Sequence, residues 1–178
     1  MHNQRSLAHF LWRAIFVAAI MLASTAAAAD LTGQATVIDG DTIEIHGQRV
    51  RLWGIDAPES DQLCRNDDSE QYRCGQKAAN DLDTFIAHRP VECVEVDRVR
   101  YRRAVAVCAV AGVDLAEWLV KNGLALDWPQ YSKGAYAAVH DKAEQLDRGM
   151  WGGSFVEPWR YRACRRTGGS PVTCSDQQ

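Results

Sequence analysis

Apolar and polar residues change their period several times along the chain, and each change predicts an element. Leu31 to Ile38 alternates loosely, Thr42 to Ile45 reads Thr-Ile-Glu-Ile, and Arg49 to Trp53 alternates again after His46-Gly47-Gln48. Period-2 alternation is the mark of half-buried strands, so this stretch predicts a strand, a sharp corner at Asp39-Gly40 and then a hairpin. Val50 and Leu52 should face the core, which turns Arg49, Arg51 and Trp53 to the other side. From Gln76 to His88 the spacing becomes helical, with Ala79, Leu82, Phe85 and Ile86 on one face and Pro90 halting the run. Val91 to Val96 and Ala104 to Val110 predict a second hairpin across an Arg-rich connection. Asp114-Leu-Ala-Glu117 resembles a capping box opening a helix that carries Leu115, Trp118 and Leu119, with Gly123 suited to its C′ position. Tyr136 to Arg148 supplies a third helix through Tyr136, Val139, Ala143 and Leu146. Five strands in two groups, broken by one helix and followed by two, predict a small α+β domain built on a barrel. There is no internal repeat.

The two ends read differently from this middle. Arg5 and Arg13 flank the start of an apolar run, Ala14 to Ala23, followed by Ser24, Thr25 and four alanines ahead of Asp30. A run of about ten residues is too short to span a bilayer, and the alanines form an A-x-A-like cleavage site. Residues 1–29 are therefore expected to be a secretory signal peptide, residues 30–152 the folded domain, and residues 153–178 a tail with few core-forming positions. The chain has 178 residues, 47% hydrophobic and 24% charged, which excludes a disordered or collagen-like protein. Of its 20 Lys and Arg against 23 Asp and Glu, the leader holds two Arg and no acid, which leaves 18 against 23, a net charge of −5. A broad basic face for duplex DNA is thus excluded, and any polyanion must be met by a local positive patch.

Six cysteines behind an export signal predict disulfides. Spacing favours the sequential pairs Cys64–Cys74, Cys93–Cys108 and Cys164–Cys174. The middle pair lies symmetrically about a hairpin turn near Arg100 and would face across two antiparallel strands. Zinc is disfavoured because no short C-x-x-C or H-x-x-x-H spacing is present.

Candidate chemistry gathers at the first hairpin. Asp39-Gly40-Asp41-Thr42 occupies the corner between strands, and Asp56-Ala57-Pro58-Glu59 follows the third strand at once. Each stretch alone is ordinary turn chemistry. Pairing around His46-Gly47-Gln48, however, brings Asp41, Asp56 and Arg51 into one patch. Hard oxygen donors without Cys or His favour Ca²⁺, Mg²⁺ or Mn²⁺, and a cation would relieve the repulsion between the aspartates. No D-x-D-x-D-G loop of the EF-hand kind occurs.

Val37-Ile-Asp-Gly-Asp-Thr42 followed by Arg51-Leu-Trp-Gly-Ile-Asp56-Ala-Pro-Glu59 resembles the paired signature of the staphylococcal nuclease (thermonuclease) family. Tyr101 and Arg103 resemble its third element, and Leu115 to Leu124 with Trp151-Gly152 its helical half. The resemblance implies a five-stranded OB-type β-barrel with three α-helices, to which a disulfide-tied C-terminal extension is added here. It also implies a Ca²⁺-dependent phosphodiesterase cleaving DNA and RNA with a preference for unpaired regions. Carried over by motif position, Asp41 and Asp56 would bind the metal through carboxylates and Ala57 through its carbonyl, where the family often has Thr. Glu59 matches the general base, and Arg51 and Arg103 the two phosphate-binding arginines. The third motif departs from the family: Asp-x-Tyr-Gly-Arg reads Val99-Arg100-Tyr101-Arg102-Arg103, and a non-glycine at the fourth place leaves Arg102 as an alternative to Arg103.

That Arg-rich run is also the local positive patch the acidic total demands. Arg100 and Arg102 would hold successive phosphates while Tyr101 stacks on a base. Tyr131 aligns with the family's aromatic residues at the nucleotide pocket; Trp128 fits either pocket or core. In the tail, Trp159 to Arg166 interleaves aromatics with cations, as an extension of the nucleic-acid track or as a disulfide-pinned surface segment. The leading expectation is an exported, monomeric, Ca²⁺-dependent nuclease, periplasmic or secreted, acting on mainly single-stranded DNA and RNA and free of the membrane once its leader is cleaved. The rival is a non-catalytic nucleic-acid-binding module on the same barrel: clustered carboxylates facing phosphates argue against it, and the altered Val99–Arg103 run argues for it.

Overall fold

One long strand, β1 (Asp30–Asp39), pairs antiparallel on both edges, with β7 (Pro90–Arg98) along its first half and with β2 (Thr42–Ile45) along its second. The computed structural model that shows this describes residues 30–98 and 103–176. The expected leader and the connection residues Val99, Arg100, Tyr101 and Arg102 lie outside the described residues. β2 continues into β3 (Gln48–Leu52), and β7 pairs with β8 (Ala104–Val110). A parallel pairing of β3 with β8, Val50 opposite Ala104 to Leu52 opposite Ala106, closes the five strands into a barrel. Closure follows from alternation: Ile43, Ile45, Val50, Leu52, Val91 and Ala106 all turn inward and are buried, and a closed barrel removes both unpaired edges.

Two helices cap the barrel. α1 (Cys74–Ile86) buries Ala78, Leu82 and Ile86, and α2 (Leu115–Lys121) buries Leu115, Leu119 and Val120. Asp114 caps α2, its carboxylate accepting from the Ala116 and Glu117 amides, and Gly123 follows with φ +64°. Phe85 and Trp118 stack between the helices at 4.2 Å. The third expected helix is shorter than its apolar spacing predicts: α4 spans Ala137–Gln145, so Leu146 falls at its end and is exposed rather than core. Three further short helices, α3 (Pro129–Ser132), α5 (Pro158–Arg166) and α6 (Pro171–Ser175), each open with proline. Proline suits a first helical turn because its missing N–H is unpaired there in any case.

All three expected disulfides form, and Cys93 stands directly opposite Cys108 on β7 and β8. Cys64–Cys74 ties a small hairpin, β5 (Leu63–Arg65) with β6 (Gln71–Arg73), to the start of α1. The C-terminal extension folds down onto this hairpin. Buried Gln62 donates from Nε2 to the Val156 carbonyl at 2.6 Å, the Tyr161 hydroxyl donates to Asp61 at 2.8 Å, and the Leu63 amide donates to the Ser175 hydroxyl at 2.9 Å. Cys164–Cys174 then clips α5 to α6.

The first turn of α1 rests on the loop that carries Glu59. A methyl group on Gly75 would lie 1.9 Å from the Glu59 carbonyl oxygen and 2.7 Å from that of Pro58. Since those neighbours are backbone, neither can swing aside. Gly75→Ala is therefore expected to lower unfolding free energy by at least about 2 kcal/mol, despite alanine's better helix propensity. Urea denaturation of the variant against the parent chain checks this.

Candidate active site

The barrel's pairing register builds the site from one end. Thr42 stands opposite Arg51 on β2 and β3, so Asp41, one residue before Thr42, comes beside the Arg51 side chain. The Leu52 amide donates to the Asp41 carbonyl at 2.8 Å, which fixes the corner. After β3 the chain reverses at Gly54, whose φ of +76° favours glycine. It then enters β4 (Ile55–Asp56), which pairs with β9 (Leu126–Asp127). This second pairing brings Trp128 over the same place, its amide donating to the Gly54 carbonyl.

At the centre Arg51 bridges two carboxylates. Its Nη1 donates to Asp41 Oδ1 at 3.0 Å, and its Nη2 lies 2.8 Å from Asp41 Oδ2 and 3.0 Å from Asp56 Oδ1. Asp41 further accepts from the Thr42 hydroxyl and from the Ala57 amide. Burial nevertheless pushes the Asp41 carboxyl up from 3.8 to about 7; Arg51 pulls it down, while Asp39 and Asp56 push it up further. One guanidinium thus does not fully compensate the pair.

Asp56 has a second cation. Arg162 on α5 grips it with both ends of its fork, Nη1 to Oδ1 at 2.9 Å and Nη2 to Oδ2 at 2.7 Å, and Nη1 also reaches Glu59 Oε1 at 2.9 Å. Burial lowers the affinity of this guanidinium for its proton, but the hydrogen bonds to Asp56 and Glu59 outweigh burial and hold it above its ordinary value. The result is a ladder of alternating charge: Asp41, Arg51, Asp56, Arg162, Glu59. Trp128 walls one side, with the Arg51 and Arg162 guanidinium carbons 6.0 and 5.6 Å from its ring centre. Trp159 on α5 lies nearly parallel behind it at 6.1 Å.

Asp41, Arg51, Glu59, Trp128 and Arg162 line a cavity of about 690 Å³. Of the expected site residues, Arg51, Glu59, Arg103, Asp41, Ala57 and Tyr131 line it, and Asp56 is buried beneath its floor. Arg103 pairs with no carboxylate among the described residues. Tyr131 is 49% exposed and meets Trp128 edge-on at 4.5 Å. Arg100, Tyr101 and Arg102 fall outside the described residues. Trp128 belongs to the cavity wall. The tail is disulfide-pinned, with Arg160, Arg165 and Arg166 exposed, but it also buries Tyr161 and inserts Arg162 into the site. Sequence reading missed Arg162 because it reaches Asp56 across 106 residues, and no local pattern reports such docking.

The donor set suits a hard divalent cation, though sparingly. Two aspartates approach one nitrogen, one of them is undercompensated, and the donors are all oxygen. Among the described residues no three His, Cys, Asp or Glu side chains gather to hold a metal. A metal here would keep several positions for water and substrate, as catalytic sites require.

Comparison with known proteins agrees with this geometry. The family model described as staphylococcal nuclease homologue matches residues 49–153. The chain belongs to the staphylococcal nuclease family. It is 43% identical over 140 residues to the succinoglycan biosynthesis protein ExoI of Rhizobium meliloti (strain 1021), covering 78% of this chain and 73% of that protein. It is 27% identical over 168 residues to the micrococcal nuclease of Shigella flexneri, covering 84% and 91%. An uncharacterized endonuclease of Haemophilus influenzae (strain ATCC 51907 / DSM 11121 / KW20 / Rd) is 28% identical over 133 residues, covering 71% of this chain and 69% of its own. Family and relatives together support nuclease function.

The Asp41 environment makes a pH signature. Because burial raises the carboxyl in the folded protein above its unfolded value, its contribution to stability is complete below pH 3.8 and is lost as pH rises through about 7. In chelator, Asp41→Asn should therefore gain in melting temperature over the parent chain as pH rises from 5 to 8, by several degrees. Thermal unfolding across that range measures the difference, and a gap that does not widen would contradict the assignment.

Proposed function

We propose that this protein is an exported Ca²⁺-dependent phosphodiesterase that hydrolyses DNA and RNA, prefers single-stranded or unpaired stretches, and acts as a monomer. The observation that carries the reading is the Arg51 bridge between buried Asp41 and Asp56, at the floor of a cleft with Glu59 on its rim. Asp41 and Asp56, with the Ala57 carbonyl, would hold Ca²⁺, with Mg²⁺ or Mn²⁺ as lesser fits; the ion supplies Lewis-acid polarisation of a phosphate oxygen and of water.

The chain's own groups account for the rest of the chemistry. Hydrolysis forms a bond from a water oxygen to phosphorus, breaks the phosphorus bond to a sugar oxygen, which leaves as a hydroxyl with a proton from solvent in the open cleft, and needs an acceptor for the attacking water's proton. Glu59 is that acceptor, at the mouth of the cleft beside the floor carboxylates. Arg51 and Arg103 present N–H groups to the equatorial oxygens as charge develops there, and a guanidinium stays protonated throughout. Tyr131 offers an exposed ring for a base, which an unpaired base is free to use. Arg100, Tyr101 and Arg102 would continue the phosphate track along the connection from β7 to β8.

Export is supported by the apolar run Ala14 to Ala23 and by three disulfides, which persist in oxidising compartments. Among the described residues, no helix is long and apolar enough to cross a membrane.

Digestion of single-stranded DNA by the mature protein, in Ca²⁺ and in chelator, decides between the enzyme and a binding module. Cleavage in Ca²⁺ alone is expected; equal persistence of the substrate in both would favour the binder. Glu59→Gln should lower kcat by about 10²- to 10⁴-fold with folding intact. Arg51→Lys should be severe as well, because an ammonium cannot bridge both aspartates and still present a fork to phosphate. Near-normal turnover by either variant would remove that residue from the chemistry.

A further inference from the structure

The metal site as just read is already occupied by a cation belonging to the chain. Arg162 takes both oxygens of Asp56 and one of Glu59, at 2.7 to 2.9 Å, and Asp56 is fully buried beneath it. Arg51 cannot be the group that yields to a metal so readily. It rises from a barrel strand and is the only bridge between Asp41 and Asp56 among the described residues. Arg162 comes instead from the C-terminal extension and holds down Glu59, the group that must be free to accept a proton.

We propose that Arg162 is a built-in counter-cation that competes with the divalent metal for Asp56 and Glu59, so that metal enters by displacing its guanidinium. The inference rests on reading Asp41 and Asp56 as metal ligands. A divalent ion on Asp56 would stand within a few ångströms of the guanidinium, and repulsion between like charges at that range is strong in a partly buried site. Asp56 gains from either cation, so it need never be left buried and uncompensated.

The helix need not undock for this exchange. α5 is fastened by groups other than Arg162: Tyr161 to Asp61 at 2.8 Å, Arg165 to Asp61 at 3.3 Å, and the Cys164–Cys174 disulfide. The Arg162 side chain is 26% exposed on the cavity side, with the Trp128 face beside it, and its length lets the head group swing into the cleft while its stem stays in place. Arg162 is then a positioning residue. In the unloaded protein it holds the Asp56 and Glu59 carboxylates in register, and it sets the concentration of metal at which the site is filled.

Calorimetric titration of Ca²⁺ into the mature protein, Arg162→Gln and Arg162→Lys tests this without any activity assay. Loss of a charge-assisted fork should tighten Ca²⁺ binding about tenfold or more in Arg162→Gln, with Arg162→Lys between it and the parent. In chelator Arg162→Gln should melt below the parent, and saturating Ca²⁺ should close that gap. If Arg162→Gln does not fold, the lysine variant, which keeps a cation but loses the fork, carries the comparison. Equal or weaker Ca²⁺ binding by the folded variants would overturn the proposal and leave the nuclease reading standing. No Ca²⁺ binding by any of the three would overturn both.

Discussion

Two carboxylates, Asp41 and Asp56, are buried side by side at one end of a barrel, and a single guanidinium between them makes that placement tolerable. Like charges withdrawn from water repel strongly, and each loses its hydration as well. Arg51 answers the repulsion by standing within 3.0 Å of both. It can do so only because hydrogen-bonded neighbours fix its strand: β3 lies between β2 and β8, so its backbone cannot shift to relax the contact. The rigidity of the closed barrel is thereby converted into a concentration of charge. The raised Asp41 carboxyl records that one cation is not enough.

Once this is granted, the rest of the cleft follows as means of placing further positive charge. Arg162 answers Asp56 and Glu59 from one side. Arg103, without a carboxylate partner among the described residues, stands ready on another. Trp128 serves both guanidinium groups with its ring face, which favours cations and excludes water from one side of the ion pairs. The same contacts that stabilise the charge ladder hold the Arg51 and Arg162 forks in fixed orientations.

The barrel and the core of this ladder were legible in the sequence, and the reason is local. Alternation over short runs decides which face of a strand is buried, so Val50 and Leu52 inward meant Arg51 outward, and a tight hairpin put Thr42 opposite it and Asp41 beside it. The disulfides were legible for a similar reason, being closed by neighbours in sequence. Helix ends were read less well where apolar spacing ran on past the true stop, as at Leu146. The prolines that open α3, α5 and α6 were visible, but short helices lack the repeated apolar spacing that would distinguish a first turn from a loop. What no local pattern could supply was Arg162, because its position depends on Gln62, Asp61 and Leu63 each finding a partner about a hundred residues away.

That dependence bears on what counts as the catalytic unit. The family match spans residues 49–153, yet Asp41 precedes it and Arg162 follows it. Asp41 joins through backbone pairing, because β2 cannot be removed without opening the barrel. Arg162 joins through an extension that the barrel does not require for closure. The extension is nevertheless held by two devices that cost little on docking: a disulfide that shortens its unfolded chain's freedom, and buried hydrogen bonds to a loop already pinned by Cys64–Cys74 and by the close approach of Gly75. A cation on so firmly seated a helix acts on Asp56 and Glu59 as a fixed charge rather than as a passing surface arginine. The electrostatics of this site therefore belong to the barrel and the extension together, and the matched segment taken alone would leave Asp56 with Arg51 alone and Glu59 without its Arg162 partner.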